Sequence, residues 1–169
     1  NMKVNALLLS LLITLLIFSP GCLDGDGEEG IEAEKVPVFS LTADDGEEYS
    51  SENLLGEAYI LHFSASWCNS CRETMHAVSN QLNDSVYIIV STDDSDSTKL
   101  SDWHLQVNDS KEESLVYAPF SVDVELSQSF GISNTPTLIL IDRDGMVVSK
   151  HLGPLVDQQE IDSFWAQLD

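Results

Sequence analysis

The segment Ala58–Leu82, AYILHFSASWCNSCRETMHAVSNQL, decides the fold. It begins with a short run of Tyr, Ile, Leu and Phe, the composition of a strand buried on both faces of a sheet. Met75, Val78 and Leu82 then recur at i, i+3 and i+7, which is one stripe of an amphipathic helix. A second strand-like run, SVYIIVST at Ser85–Thr92, follows directly. Strand, helix, strand predicts a parallel pair joined by a right-handed crossover. Trp67, Cys68 and Cys71 stand where the first strand gives way to the helix.

That position dictates the chemistry open to the cysteines. The first turn of a helix has backbone N–H groups with no intrahelical partner and carries the positive end of the helix dipole, so a sulfur there is favoured as thiolate. A free cysteine has a pKa of about 8.5, and Cys-x-x-Cys pairs at helix starts lower it to roughly 3.5 to 7.5. Cys68 is then the candidate attacking thiol. Cys71, one turn on and on the same helix face, is placed to displace a mixed disulfide formed at Cys68. A structural metal site is the competing reading, but zinc wants four ligands and the chain has neither a second cysteine pair nor a histidine pair at finger spacing. No metal ligand is assigned.

Outward from this core, VPVFSLTADDGEEYS at Val36–Ser50 reads as a hairpin turning at Asp45-Gly46. Leu100, Trp103 and Val107 mark a second helix, with Asp96 or Ser97 as its N-cap. The acids of TDDSDS, Thr92–Ser97, read as favourable charges at that helix's N-terminus rather than as a cation site. Leu126 and Phe130 before Gly131 mark a short third helix, and TPTLILIDRDGMVVSKHLG a C-terminal hairpin across Arg143-Asp144-Gly145. A last helix carries Ile161, Phe164, Trp165 and Leu168, with Asp157 and Glu160 spaced as a capping box.

The N-terminal segment has a different composition. Lys3 precedes an apolar run from Ala6 to Phe18, shorter than the roughly 20 residues a membrane span needs, so residues 1–21 read as a secretory signal. The run ends in SPGC, which resembles a lipobox with Cys22 as the acylated residue, although Ser19 stands where an aliphatic residue is usual. Residues 22–35, rich in Gly and acids, form an acidic flexible tether, and residues 36–169 the folded domain. With Cys22 lipidated, Cys68 and Cys71 are left as a self-contained pair. The protein is thus expected on the extracytoplasmic face of the cell membrane, held by an N-terminal lipid anchor. A net charge of −22, from 29 acids against 7 bases, argues against nucleic acid as a partner.

Trp67, Cys68 and Cys71 after a buried strand, followed far along by FGISNTPTLILIDRDG, resemble the thioredoxin superfamily. The front segment from Val36 resembles its TlpA/ResA-like branch of membrane-tethered thiol-disulfide oxidoreductases. The resemblance implies an α/β, thioredoxin-like fold: a central mixed β-sheet flanked by helices, with an N-terminal hairpin extension. It implies no cofactor beyond a redox-active Cys68–Cys71 disulfide, and as partners protein thiols or disulfides and an upstream redox protein. Pro136 becomes the cis-proline facing the cysteines, and Thr135 the source of backbone groups for an extended substrate, although a proline opening a strand is tolerated there in any case. Trp67 is the functional tryptophan. Ser70 stands where many relatives have proline, Thr74 where reducing members often carry glutamate and His76 where they often carry proline. Glu73 is thereby shifted by one. His62, six residues before Cys68, occupies the place of thioredoxin's buried acid, either as a neutral base for the Cys71 proton or as a packed structural histidine. The function expected is disulfide exchange with proteins; the alternative is a metallochaperone or assembly factor holding a soft metal in the dithiol.

Overall fold

The computed structural model describes residues 34–109 and 114–169. The signal segment, Cys22 and the tether up to residue 33 lie outside the described residues. Pairing begins at once: Val147 N–H donates to Glu34 O, Val36 N–H donates to Gly145 O, and Lys35 bridges Met146. The expected front hairpin follows as β1, Ser40–Thr42, antiparallel to β2, Glu48–Ser50, with Gly46 at φ 84° in the turn, a conformation glycine adopts without steric cost.

A five-stranded sheet forms the centre. β3 (Tyr59–Ser64) lies in its middle, buried along its whole length, parallel to β4 (Val86–Ser91) and antiparallel to β6 (Thr137–Ile141). β5 (Phe120–Val122) extends the sheet beyond β4, and β7 (Val147–Leu152) closes the other edge as the partner of β6. The sheet is therefore mixed, with helices on both faces, as the resemblance implied. β5 is the strand that the pattern of the sequence did not announce, because three residues are too few to show a period.

Alternation along the strands divides the core in two. Ile60, Tyr87, Ile89, Leu138 and Leu140 face α1 (Asn69–Gln81), α2 (Leu100–Val107) and α4 (Gln158–Trp165), where they meet Met75, Trp103 and Phe164. Leu61, Phe63, Ile88, Val90 and Ile139 face the other way, onto Val36, Phe39 and Leu41 of the hairpin segment and Leu126 of α3 (Val124–Ser129). Helix ends follow the expected logic in two places. Asp123 caps α3 through the Leu126 amide, and Asp157 caps α4 by accepting from the Gln159 and Glu160 amides.

At α2 the expected cap fails. Its N-cap is Lys99, which makes no side-chain capping bond, and neither Asp96 nor Ser97 serves. Asp96 instead closes a 3₁₀ turn, Asp94–Asp96, with its carboxylate buried. It is drawn inward because two donors await it there: the Ser91 hydroxyl at 2.6 Å and the Ser66 amide at 3.1 Å. Burying a carboxylate is costly unless it is hydrogen-bonded, and these two bonds offset that cost.

Candidate active site

The backbone conformation of Cys68 makes it the N-cap of α1, at φ −89° and ψ 100°, and its Sγ accepts the Cys71 amide at 3.3 Å. No acid occupies the first turn of the helix, so no carboxylate competes with sulfur for the positive helix end. The two cysteines are joined in a disulfide with Cα atoms 5.3 Å apart. Their surroundings differ. Cys71 is 0% exposed within the α1-facing core, while Cys68 is half-buried and packs only at that core's margin. The Ser70 hydroxyl lies 3.6 Å from Cys68 Sγ.

Trp67 is 67% exposed beside Cys68, and its indole N–H donates to Asp93 Oδ2 at 3.2 Å. The Ser95 hydroxyl and amide, together with that indole, hold the Asp93 carboxyl below the usual carboxylate range. Across from Trp67, the Thr135–Pro136 bond is cis and Pro136 is buried. Trp67 and Thr135 line one groove of about 480 Å³, with Val124 and Ile132 also in its lining. Two segments nearly 70 residues apart in the chain thus form one surface next to the cysteine pair.

His62 is fully buried on the face of β3 that meets α1. Its Nδ1 lies 2.6 Å from the Tyr87 hydroxyl, and its Nε2 has no hydrogen-bond partner among the described residues. Burial lowers its pKa to about 3, so the ring is neutral at physiological pH, and burial pushes the Tyr87 hydroxyl up. Thr74, also buried, donates to Ser70 O at 3.1 Å and accepts the Leu155 amide at 3.1 Å. Glu73 is exposed. His76 is buried, its Nδ1 2.7 Å from Ser114 O and its Nε2 3.0 Å from Val107 O, so it joins α1 to the end of α2.

Sequence reasoning missed Asp93 and Asp96 at this site. One signal was available: β3 and β4 are parallel neighbours, so the loops leaving their C-terminal ends, the first carrying SASWC and the second TDDSDS, must lie side by side. Thr92 N–H donating to Ser64 O at 2.9 Å is the direct stitch between them.

Comparison with known proteins agrees with this geometry. The chain is 28% identical to the thiol:disulfide interchange protein DsbE of Escherichia coli, over 97% of this chain and 95% of that one. It is also 28% identical to the thiol-disulfide oxidoreductase ResA of Bacillus cereus, over 94% of each. A solved thiol:disulfide interchange protein of the thioredoxin family from Chlorobium tepidum shares the fold, with TM-score 0.63 and 23% identity over 80% of this chain and 96% of the other. The redoxin family model matches residues 31–168, so this chain belongs to the redoxin family and is a thioredoxin-like thiol-disulfide oxidoreductase.

Proposed function

We propose that the protein exchanges disulfides with protein substrates through Cys68, with Cys71 as the resolving thiol. The unequal burial of the two sulfurs carries this reading: a partner can reach the half-buried Cys68, and Cys71 is fully enclosed. In the reducing direction the Cys68 thiolate attacks a substrate disulfide, forms a mixed disulfide and releases one substrate thiolate, which takes a proton from solvent. Cys71 then attacks the Cys68 sulfur, its proton passing to the departing substrate sulfur. The second substrate thiol leaves, and the Cys68–Cys71 disulfide remains. The oxidising direction is the reverse, and an upstream redox protein resets the pair. Trp67 and the backbone at Thr135, beside cis-Pro136, receive the substrate segment along the shared groove.

We place this domain, residues 36–169, on the extracytoplasmic face of the cell membrane, tethered through residues 22–35 to a lipid on Cys22 after removal of residues 1–21. The apolar run ending in SPGC supports that placement. Among the described residues no helix is long and apolar enough to cross a membrane.

The test is a trap. Cys71→Ser should accumulate mixed disulfides with protein substrates that dithiothreitol releases, and Cys68→Ser should accumulate none. Adducts on Cys68→Ser alone would reverse the assignment, and tight stoichiometric metal uptake by the dithiol without turnover would favour the metallochaperone alternative.

A further inference from the structure

We propose that Asp96 and Asp93 belong to the redox site as positioning residues: Asp96 fixes the Ser66–Trp67 backbone that delivers Cys68, and Asp93 fixes the indole of Trp67. This rests on the reading of Cys68 as the attacking thiol.

The acids of TDDSDS divide by direction. Asp94 is exposed, whereas Asp96 is 3% exposed and points beneath the loop between β3 and α1. Ser66 N–H, two residues before Cys68, and the Ser91 hydroxyl both donate to the same atom, Asp96 Oδ2, at 3.1 and 2.6 Å. Ser91 Oγ also accepts the Asp93 amide at 3.1 Å. One buried carboxylate oxygen therefore joins the end of β4 to the approach to the cysteines. Asp93 completes the arrangement on the outside, with Oδ1 accepting the Ser95 amide at 3.0 Å and Oδ2 accepting the Trp67 indole.

The residues around Cys68 explain why such a clamp is needed. Ser66 and Trp67 are both exposed, and Trp67 buries too little of its ring to be held by packing. The Cys68 amide is anchored to Ala65 O at 3.0 Å, so the turn is internally closed, but its placement over the sheet depends on contacts from the β4 side. Misplacing a reacting group by about 1 Å can cost on the order of 100-fold in rate, so hydrogen bonds that set this loop belong to the chemistry although they touch no reacting atom.

Because both donors converge on one oxygen, the proposal separates hydrogen bonding from charge. An asparagine at 96 can present its amide oxygen to Ser66 and Ser91; an alanine cannot. For a peptide disulfide substrate, Asp96→Ala should lower kcat/KM about tenfold and move the pH profile of Cys68 alkylation by iodoacetamide, while Asp96→Asn stays within about twofold of the parent, as expected for loss and retention of the two hydrogen bonds to the oxygen at position 96. Asp93→Ala, at a solvent-facing position, should raise KM about threefold with kcat held, because it frees the docking surface rather than the thiol. The proposal is overturned if folded Asp96→Ala matches the parent in kcat/KM and alkylation profile, or if Asp96→Asn is impaired as severely as Asp96→Ala. If Asp96→Ala does not fold, Ser91→Ala and Asp93→Ala decide: parent-like kinetics in both sink the clamp. Trapping by Cys71→Ser is scored separately, so a failed clamp and a failed assignment of Cys68 give different results.

Discussion

The two faces of β3 carry the same strand in opposite chemical settings. Tyr59, Leu61 and Phe63 project into a core with the hairpin segment, where Phe63 meets Phe130 at 5.6 Å between ring centroids and Phe39 meets Tyr59 at 6.4 Å. Ile60, His62 and Ser64 alternate onto the side of α1, where buried polar groups gather: His62 Nε2 and Ser64 Oγ without partners among the described residues, and Thr74 bridging to Leu155. The hairpin side is mainly apolar, although the Tyr59 hydroxyl is buried there without a hydrogen-bond partner among the described residues. The other accepts desolvated polar groups, each of which costs stability, and it is the face that holds Cys71. Stability and reactivity should therefore separate when the faces are perturbed one at a time.

The largest effect is expected on the apolar face. Phe63 is fully buried, and truncating a buried phenylalanine typically costs about 3 to 5 kcal/mol. Phe63→Ala should lose that much in urea unfolding, while the folded fraction keeps the parent's midpoint potential. A shifted potential at matched folding would mean that the two faces are coupled through β3.

The next effect lies on the polar face and depends on pH. His62 is neutral in the fold with its pKa lowered to about 3, whereas in the unfolded chain it protonates near 6.5. Between those values the unfolded state binds one more proton, so stability falls as the solution is acidified through that window. From pH 7 to pH 4 this group alone removes about 3 kcal/mol, at about 1.4 kcal/mol per pH unit below 6.5. His62→Leu removes this dependence, so the stability of the parent minus that of the variant should decline by about 3 kcal/mol over the same range, the shared carboxylates cancelling. A pH-independent difference would mean that the ring is charged or solvated in the fold.

These two faces were not equally legible in the sequence. Apolar runs at Tyr59–Phe63 and Val86–Val90, the helix stripe at Met75 and Val78, and the cysteine pair itself are local patterns, and each fell where expected. Thr135–Pro136 was recognised by its neighbours and is cis. What escaped was long-range polar pairing. Asp96 meets Ser66 across 30 residues, Asp44 caps the Phe120 amide across 76, and Thr74 meets Leu155 across 81. Aspartate and threonine suit caps and exposed positions on local grounds, so only the fold reveals that these are committed inward. The parallel order of β3 and β4 could have narrowed the search for Asp96; nothing local could have found Leu155.

Thr74 gives the smallest and most discriminating test of the comparison. Its hydroxyl spends its proton on Ser70 O and its lone pair on the Leu155 amide, tying the first turn of α1 to the segment before α4. Valine keeps the shape and removes both bonds, leaving a buried amide unpaired at a cost of about 1 to 3 kcal/mol. That is less than the cavity at Phe63, yet it falls directly behind Ser70 and Cys71. Thr74→Val should therefore disturb the midpoint potential out of proportion to its stability loss, and Thr74→Ser, which restores the hydroxyl, should return the potential while recovering only part of the stability. If Thr74→Val and Phe63→Ala instead shifted the potential in proportion to stability, the division of labour between the two faces would fail.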